Sequence, residues 1–355
     1  MTNFANPVLE SVNSLIHNLK HVSIDYDKID EMSKKFAKDY SEGKIQMPEW
    51  KDEIFPKENK DFLENLFWLS TINFSFKDFG TKESFQTLYN RNKYYGSFAM
   101  AACFKRALDN GIEVNNPEYM KLIDRKGLRQ IFTGNMEIPM LDERLKILNE
   151  TGEAMENGYK TFYNLCKKAK FKTFAGSDSE KKQIGIVERL IKDLPYFYDY
   201  SFIDGKEVKF HKRAQLAAMI AYERFSQDKD GKEFFPMQEK EIDKLSVAAD
   251  YVLPKTLRAL EIIKYDESLE EKVNKIIPLE HNSREEVEIR MATVYSCEVL
   301  SAYSNFYLSN IPGQEDLEKS HINKGHIDSF LWRAGKDLAK KGIGAKSHLC
   351  KTIAY

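Results

Sequence analysis

Apolar residues recur at intervals of three and four through ten segments: Val8 to His21, Ile29 to Tyr40, Lys60 to Thr71, Gly96 to Asn110, Met140 to Tyr163, Lys181 to Lys192, Lys212 to Phe225, Gln238 to Ala249, Pro254 to Ile263 and Arg284 to Leu308. Wound as α-helices, these segments each present an apolar stripe, so the sequence predicts a mostly α protein. Alternation with a period of two is confined to short pieces. The clearest is YSFIDGKEVKF, where Asp204-Gly205 separates two β-favouring runs as the turn of a short β-hairpin. Between Leu66 and Phe79 the stretch FWLSTINFSFKDF is expected to close a helix and continue as an extended, aromatic-rich segment. The polar stretch SQDKDGKEFFPMQEKE reads as a surface turn joining the helix that opens at Lys212 to the one that leads to Asp250. No Ser/Gly/Pro-rich linker or internal repeat divides the chain, so residues 1–355 are expected to form a single large helical domain or two tightly packed helical lobes.

Composition narrows the function classes. Hydrophobic residues make up 42% and aromatics 12%, ample for a large core and for stacking surfaces. Fifty-four basic against 55 acidic side chains leave a net charge of −1, which offers no basic excess for a long phosphate backbone, so no nucleic-acid polymer partner is expected. A small anionic ligand needs only one or two local cations and stays open. Cys103, Cys166, Cys297 and Cys350 form no CxxC pair and the seven His residues no HExxH, so no metal is expected. GxGxxG, P-loop and GxSxG patterns are absent, and with them the best signals for nucleotide cofactors and serine hydrolases; no cofactor is expected. Without a signal peptide or an apolar run of about 20 residues, the chain is expected to be soluble, cytoplasmic and reduced, with no membrane partner, and to be a monomer.

The chemistry must then come from a few local constellations. In AADYVLP, Asp250 stands inside an apolar run, before Tyr251 and ahead of Pro254, which suits a helix start. One account makes it a helix cap or half of an ion pair. The other makes it the carboxylate that faces positive charge at an anomeric carbon, or the base for an attacking water, in cleavage of a glycosidic bond. On HKRAQLAAMIAYERF, Lys212, Gln215, Met219 and Tyr222 share a helix face; Lys212 either snorkels into water at the helix start or leads a functional stripe. The aromatics of NFSF, Asn73 to Phe76, are core residues or clamps for a flat heterocycle. Glu286 and Arg290 at i, i+4 suit a helix-surface ion pair, or an acid for a ligand amine and a cation for a phosphate.

Several stretches together resemble the queuosine salvage family of queuosine 5′-phosphate N-glycosylase/hydrolases: NFSF, YYGSFAMAACFKRALDNGI (Tyr94 to Ile112), MLDERLKILNETG (Met140 to Gly152), DGKEVKFHKRAQ (Asp204 to Gln215), ADYVLP, EEVEIR and the ending IDSFLW…HLCKTIAY. They span nearly the whole chain in the family's order. The resemblance implies an all-helical fold related to helix-hairpin-helix DNA glycosylases. It also implies hydrolysis of queuosine 5′-monophosphate to queuine and ribose 5-phosphate, which returns queuine to tRNA modification. It implies Asp250 as the catalytic aspartate and Lys212 as the site lysine, with Tyr251 and the NFSF aromatics Phe74 and Phe76 along the substrate pocket; Asn73, Gln215, Glu286, Arg290 and His348 are further residues expected at the substrate. The LPGVG-type hairpin of the DNA enzymes is missing, and the tail carries fewer cations than the family pattern leads one to expect. A glycosylase for another modified nucleoside or a DNA base, and a noncatalytic helical interaction module, are the competing expectations.

Overall fold

The Arg284–Leu308 helix is buried along nearly its whole length because it is apolar on more than one side. Val287, Met291 and Val294 lie in one hydrophobic cluster with Val8, Val12, Ile203, Val208, Phe210 and Ala249. Ile289, Ala292, Cys297 and Leu300 lie in a second, with Ile29, Phe36, Leu253, Leu257, Ile327 and Leu331. Two clusters on one helix make it the axis of a compact unit formed by residues 1–48, 200–212 and 239–350. The computed structural model describes residues 6–175, 184–314, 321–340, 342 and 344–355.

Around that axis pack the helices Tyr26–Ser41, Leu253–Ala259 and Lys324–Lys340. Val22–Ile24 pairs antiparallel with Ile263–Tyr265, Val22 opposite Tyr265. The expected hairpin pairs Tyr200–Ile203 with Lys206–Lys209, and Asp204 and Gly205 take φ of +50° and +74°, the left-handed pair that a two-residue turn requires.

The second unit comprises residues 49–199, 213–238 and 351–355. Its helices include Asn59–Thr71, Gly96–Asp109 and Leu141–Asn157, with a hairpin of Gln86–Tyr89 and Asn92–Tyr95. From Phe62 to Thr71 every residue is buried, and Phe67 stacks on Phe162 with ring centroids 5.1 Å apart. Ser75 donates through its N–H to the Tyr355 carbonyl (3.0 Å) and through its hydroxyl to that of Thr352 (2.9 Å), which ties the final residues to the NFSF segment.

The mostly helical expectation holds, and Lys212–Phe225 and Arg284–Leu308 have the predicted bounds. Four expected helices differ. Pro254 to Ile263 is the helix Leu253–Ala259, with Ile263 in the Ile263–Tyr265 strand that pairs with Val22–Ile24. Val8 to His21 is the helix Pro7–Asn13 followed by a 3-10 turn, and Met140 to Tyr163 ends at Asn157, with Lys160 at φ +67° before a new helix Phe162–Lys168. The expected Gln238 to Ala249 helix is only Glu239–Ile242. Beyond it, main-chain groups bond to distant side chains: the Lys244 carbonyl accepts from Asn6 Nδ2 (2.7 Å) and Ala248 N donates to Asp328 Oδ2 (2.8 Å). Tertiary bonds thus replace the i to i−4 ladder. The start of the expected Lys181 to Lys192 helix lies outside the described residues, and Ile186–Asp193 is helical. The expected turn at SQDKDGKEFFPMQEKE holds a short helix, Lys229–Phe234, capped by Asp228.

Candidate active site

Asp250 sits where the irregular Ser246–Tyr251 segment meets the Leu253–Ala259 helix. Its Oδ1 accepts from Val252 N (2.7 Å) and Leu253 N (3.1 Å), so the carboxylate caps a helix whose first turn carries Pro254. The capping account is therefore correct for one oxygen. The other, Oδ2, takes no part in the cap, and the side chain stays half-buried rather than lying in open solvent. Burial raises the carboxyl above its ordinary range; the positive charge of Lys212 and the two main-chain N–H groups oppose that rise.

Lys212 reaches this neighbourhood through a tight reversal. The Lys206–Lys209 strand is followed by Phe210 and by His211 at φ +48°, and the Lys212–Phe225 helix begins at once. Lys212 is 3% exposed, so it does not snorkel into water. Its ammonium acts on two carboxyls, Asp250 and Asp328.

Asp328, in the second turn of the Lys324–Lys340 helix, completes the group. It is buried, and its Oδ2 receives the Ala248 N–H described above. Burial, and then the like charge of Asp250, push its carboxyl up to about 7, against the pull of the Ala248 N–H and Lys212. The sequence reading missed Asp328. Yet it stands in IDSFLW, one acid among large apolar residues on a helix, the same cue that drew attention to Asp250.

Arg290 and Glu286 correct a second expectation. They are not a surface pair, since both are fully buried, with Arg290 Nη1 3.9 Å from Glu286 Oε1. Arg290 Nε donates to the Ala249 carbonyl (3.3 Å), and its guanidinium lies 3.9 Å from the centre of the Phe210 ring. One buried cation thus grips the residue before Asp250 and the residue two before Lys212.

A profile of the family described as "Queuosine salvage protein" matches residues 54–355. The chain belongs to that family. It is similar to proteins named queuosine 5′-phosphate N-glycosylase/hydrolase in Sphaerobacter thermophilus (27% identical over 98% of this chain and 97% of that protein) and in Bos taurus (27%, 98% of each). The protein of that name from Nematostella vectensis is 28% identical over 98% of this chain and 97% of its own length.

The family's remaining expected site residues fall in different places. Tyr251 is half-buried beside Asp250, and His348 is buried in the same unit, next to Leu349, whose carbonyl accepts from Leu279 N (2.7 Å). Gln215, Asn73, Phe74 and Phe76 belong to the second unit. There Phe74 and Phe76 are buried with their rings 4.3 and 5.1 Å from the Arg144 guanidinium, Gln215 is fully buried, and Asn73 is half-buried. Among the described residues, His281, Glu286 and Cys350 have donor atoms close enough to share a metal ion. The Arg290 guanidinium beside Glu286 opposes a cation at that point.

Proposed function

We propose that this protein hydrolyses the N-glycosidic bond of queuosine 5′-monophosphate, releasing queuine and ribose 5-phosphate for salvage into tRNA modification. The observation that carries the reading is the match, over 97–98% of both lengths, to three proteins that all bear the name queuosine 5′-phosphate N-glycosylase/hydrolase. The half-buried acid, whose Oδ2 takes no hydrogen bond among the described residues while Oδ1 holds two main-chain N–H groups, is what that chemistry calls for.

Breaking the bond sends its electron pair to the departing base and leaves positive charge on the ribose ring. Asp250 would face that charge through Oδ2 while its cap holds Oδ1 in place, and would orient or deprotonate the attacking water. Lys212 would favour the ionised acid. A 7-deaza base lacks the N7 acceptor, so electrostatic stabilisation at the sugar carries more of the rate. Tyr251, beside Asp250, would hold the base plane, and a 5′-phosphate would add binding energy away from the bond being broken.

The fold reading is a helical arrangement related to helix-hairpin-helix DNA glycosylases, supported by the mostly helical structure; the absence of an LPGVG-type hairpin supports a nucleotide rather than a polymer as substrate. A monomer in the cytoplasm completes the proposal. All four cysteines are free, which supports a reducing compartment. Among the described residues no helix is long and apolar enough to cross a membrane. Incubating purified protein with queuosine 5′-monophosphate should yield free queuine and ribose 5-phosphate in equal amounts, read by liquid chromatography and mass spectrometry. An unchanged nucleotide would refute the assignment.

A further inference from the structure

Glycine is a poorer helix former than alanine, so one kept inside a helix needs a packing reason. Gly335 lies inside the Lys324–Lys340 helix, buried and with a helical φ. Its backbone would accept an alanine; its surroundings would not. A Cβ built on Gly335 meets Thr256 Oγ1 well inside contact distance, while the next nearest atoms, Thr256 Cβ and Val252 Cγ1, stand at 3.5 and 3.7 Å. Thr256 is fully buried and β-branched, and its Oγ1 donates to the Val252 carbonyl (3.1 Å), so it has little freedom to turn aside. The main chain of one helix thus rests directly on a side chain of the other.

That contact closes a ring. From Gly335 the Lys324–Lys340 helix runs back about two turns to Asp328. Asp328 Oδ2 accepts from Ala248 N (2.8 Å), and the chain passes through Ala249, whose carbonyl accepts from Arg290 Nε (3.3 Å), to Asp250. Asp250 Oδ1 accepts from Val252 N (2.7 Å) and Leu253 N (3.1 Å), which joins it to the Leu253–Ala259 helix, and that helix carries Thr256 back to Gly335. Asp250 is one link of this ring, and rigid helix or hydrogen bonds make up the others. Interiors are close-packed and absorb little, so opening one joint by about 1 Å stretches the Ala248 N–H bond out of hydrogen-bond range or displaces Asp250. We propose that Gly335 is a positioning residue of the glycosidase site: having no side chain, it lets the Lys324–Lys340 helix seat on Thr256 and so closes the ring that holds Asp250 in line with the ribose. Gly335 acts through Asp250 and takes no part in the bond chemistry. Its role rests on the reading of Asp250 as the site's anion.

A cycle of Gly335→Ala against Thr256→Ala in the full chain tests it. With Thr256 present, Gly335→Ala should lower kcat for queuine release about 10- to 100-fold while KM changes less than about threefold, in protein that circular dichroism shows to be folded at the assay temperature. In the Thr256→Ala background, where the nearest atom left to the new methyl is the Cβ at 3.5 Å, the same substitution should cost less than about threefold. Amide hydrogen exchange supplies a readout independent of turnover. The Ala248 N–H should lose protection about tenfold or more in Gly335→Ala and regain it in the double variant, with amides at the middle of the Arg284–Leu308 helix unmoved in both. An undiminished kcat in Gly335→Ala, an equal loss in both backgrounds, or unchanged exchange at Ala248 overturns the proposal. A Gly335→Ala protein that fails to fold overturns it too, because the contact would then serve stability alone. If wild-type protein releases no queuine, the hydrolase reading fails, and exchange at Ala248 still decides whether Gly335 sets the segment that carries Asp250.

Discussion

Arg144 in one unit and Asp250 in the other are both charged groups drawn away from water, and their surroundings differ in kind. The Arg144 guanidinium donates to the carbonyls of Ile72, Phe74, Ser75 (2.8 Å) and Pro139 (3.0 Å) and lies over the rings of Phe74 and Phe76. Its neighbour Arg213, which donates to the carbonyls of Thr71 and Tyr196, is pushed down to about 10 by burial with Asp199 opposing. Asp250 has one oxygen in a cap and a second acid nearby that competes for the same ammonium. A buried charge whose bonding capacity is filled by main chain is scaffolding, because nothing can be added to it. One left partly unfilled beside a like charge costs stability and keeps the capacity to meet a new partner.

The strongest way to break this contrast is Arg144→Leu. It strands several buried carbonyls at once, and unfolding by urea should register a loss of about 3–5 kcal/mol. A loss under about 1 kcal/mol would mean that the carbonyls find other donors and that Arg144 is not scaffolding. Next comes Asp250→Asn. Queuine release should fall about 100- to 1,000-fold, equivalent to about 3–4 kcal/mol of barrier, while stability changes by less than about 1 kcal/mol because the amide oxygen still caps the Leu253–Ala259 helix. Substantial turnover in that variant would remove Asp250 from the chemistry.

A pH series sharpens the comparison further. Because the folded Asp328 carboxyl lies near 7, above an unfolded value of about 3.9, the folded protein binds more protons between those limits. Its contribution is fully present below about pH 4 and is lost as pH rises through about 7. Asp328→Asn should therefore gain on wild type by about 4 kcal/mol between pH 4 and pH 8 in chemical denaturation. A constant difference across that range would mean that Asp328 ionises normally. The smallest effect concerns an ordinary cap: Ser283, whose side chain accepts from Glu286 N at the start of the Arg284–Leu308 helix, should cost about 1 kcal/mol as Ser283→Ala, with little pH dependence.

How much of this was legible depended on where each residue's partners lie along the chain. The Asp204-Gly205 hairpin needs only its own two left-handed residues, and it could be read directly. The hairpin at Asn90-Arg91 uses the same geometry with φ of +47° and +69°, but Arg91 is a residue that no turn rule favours there, so it went unseen. The segment after Ile242 kept a helical spacing of apolar residues because it is buried, and periodicity in a buried run does not distinguish helix from irregular chain. Its main-chain bonds go to Asn6 and Asp328, far off in sequence. Asp250 was legible as an acid out of place, with its two roles undecided. Lys212 was legible as the head of a stripe, but its burial depends on the reversal at His211. Asp328 became visible only once the fold brought its helix to Ala248.

The double grip of Arg290 has a practical consequence. Because a single side chain sealed from water ties Ala249 to Phe210, the interval between the acid and the ammonium is set from behind, like the throw of a hinge fixed by its pin. Residues at the entrance could then diversify toward bulkier or smaller nucleosides without resetting that interval, whereas shortening Arg290 would detune every ligand alike.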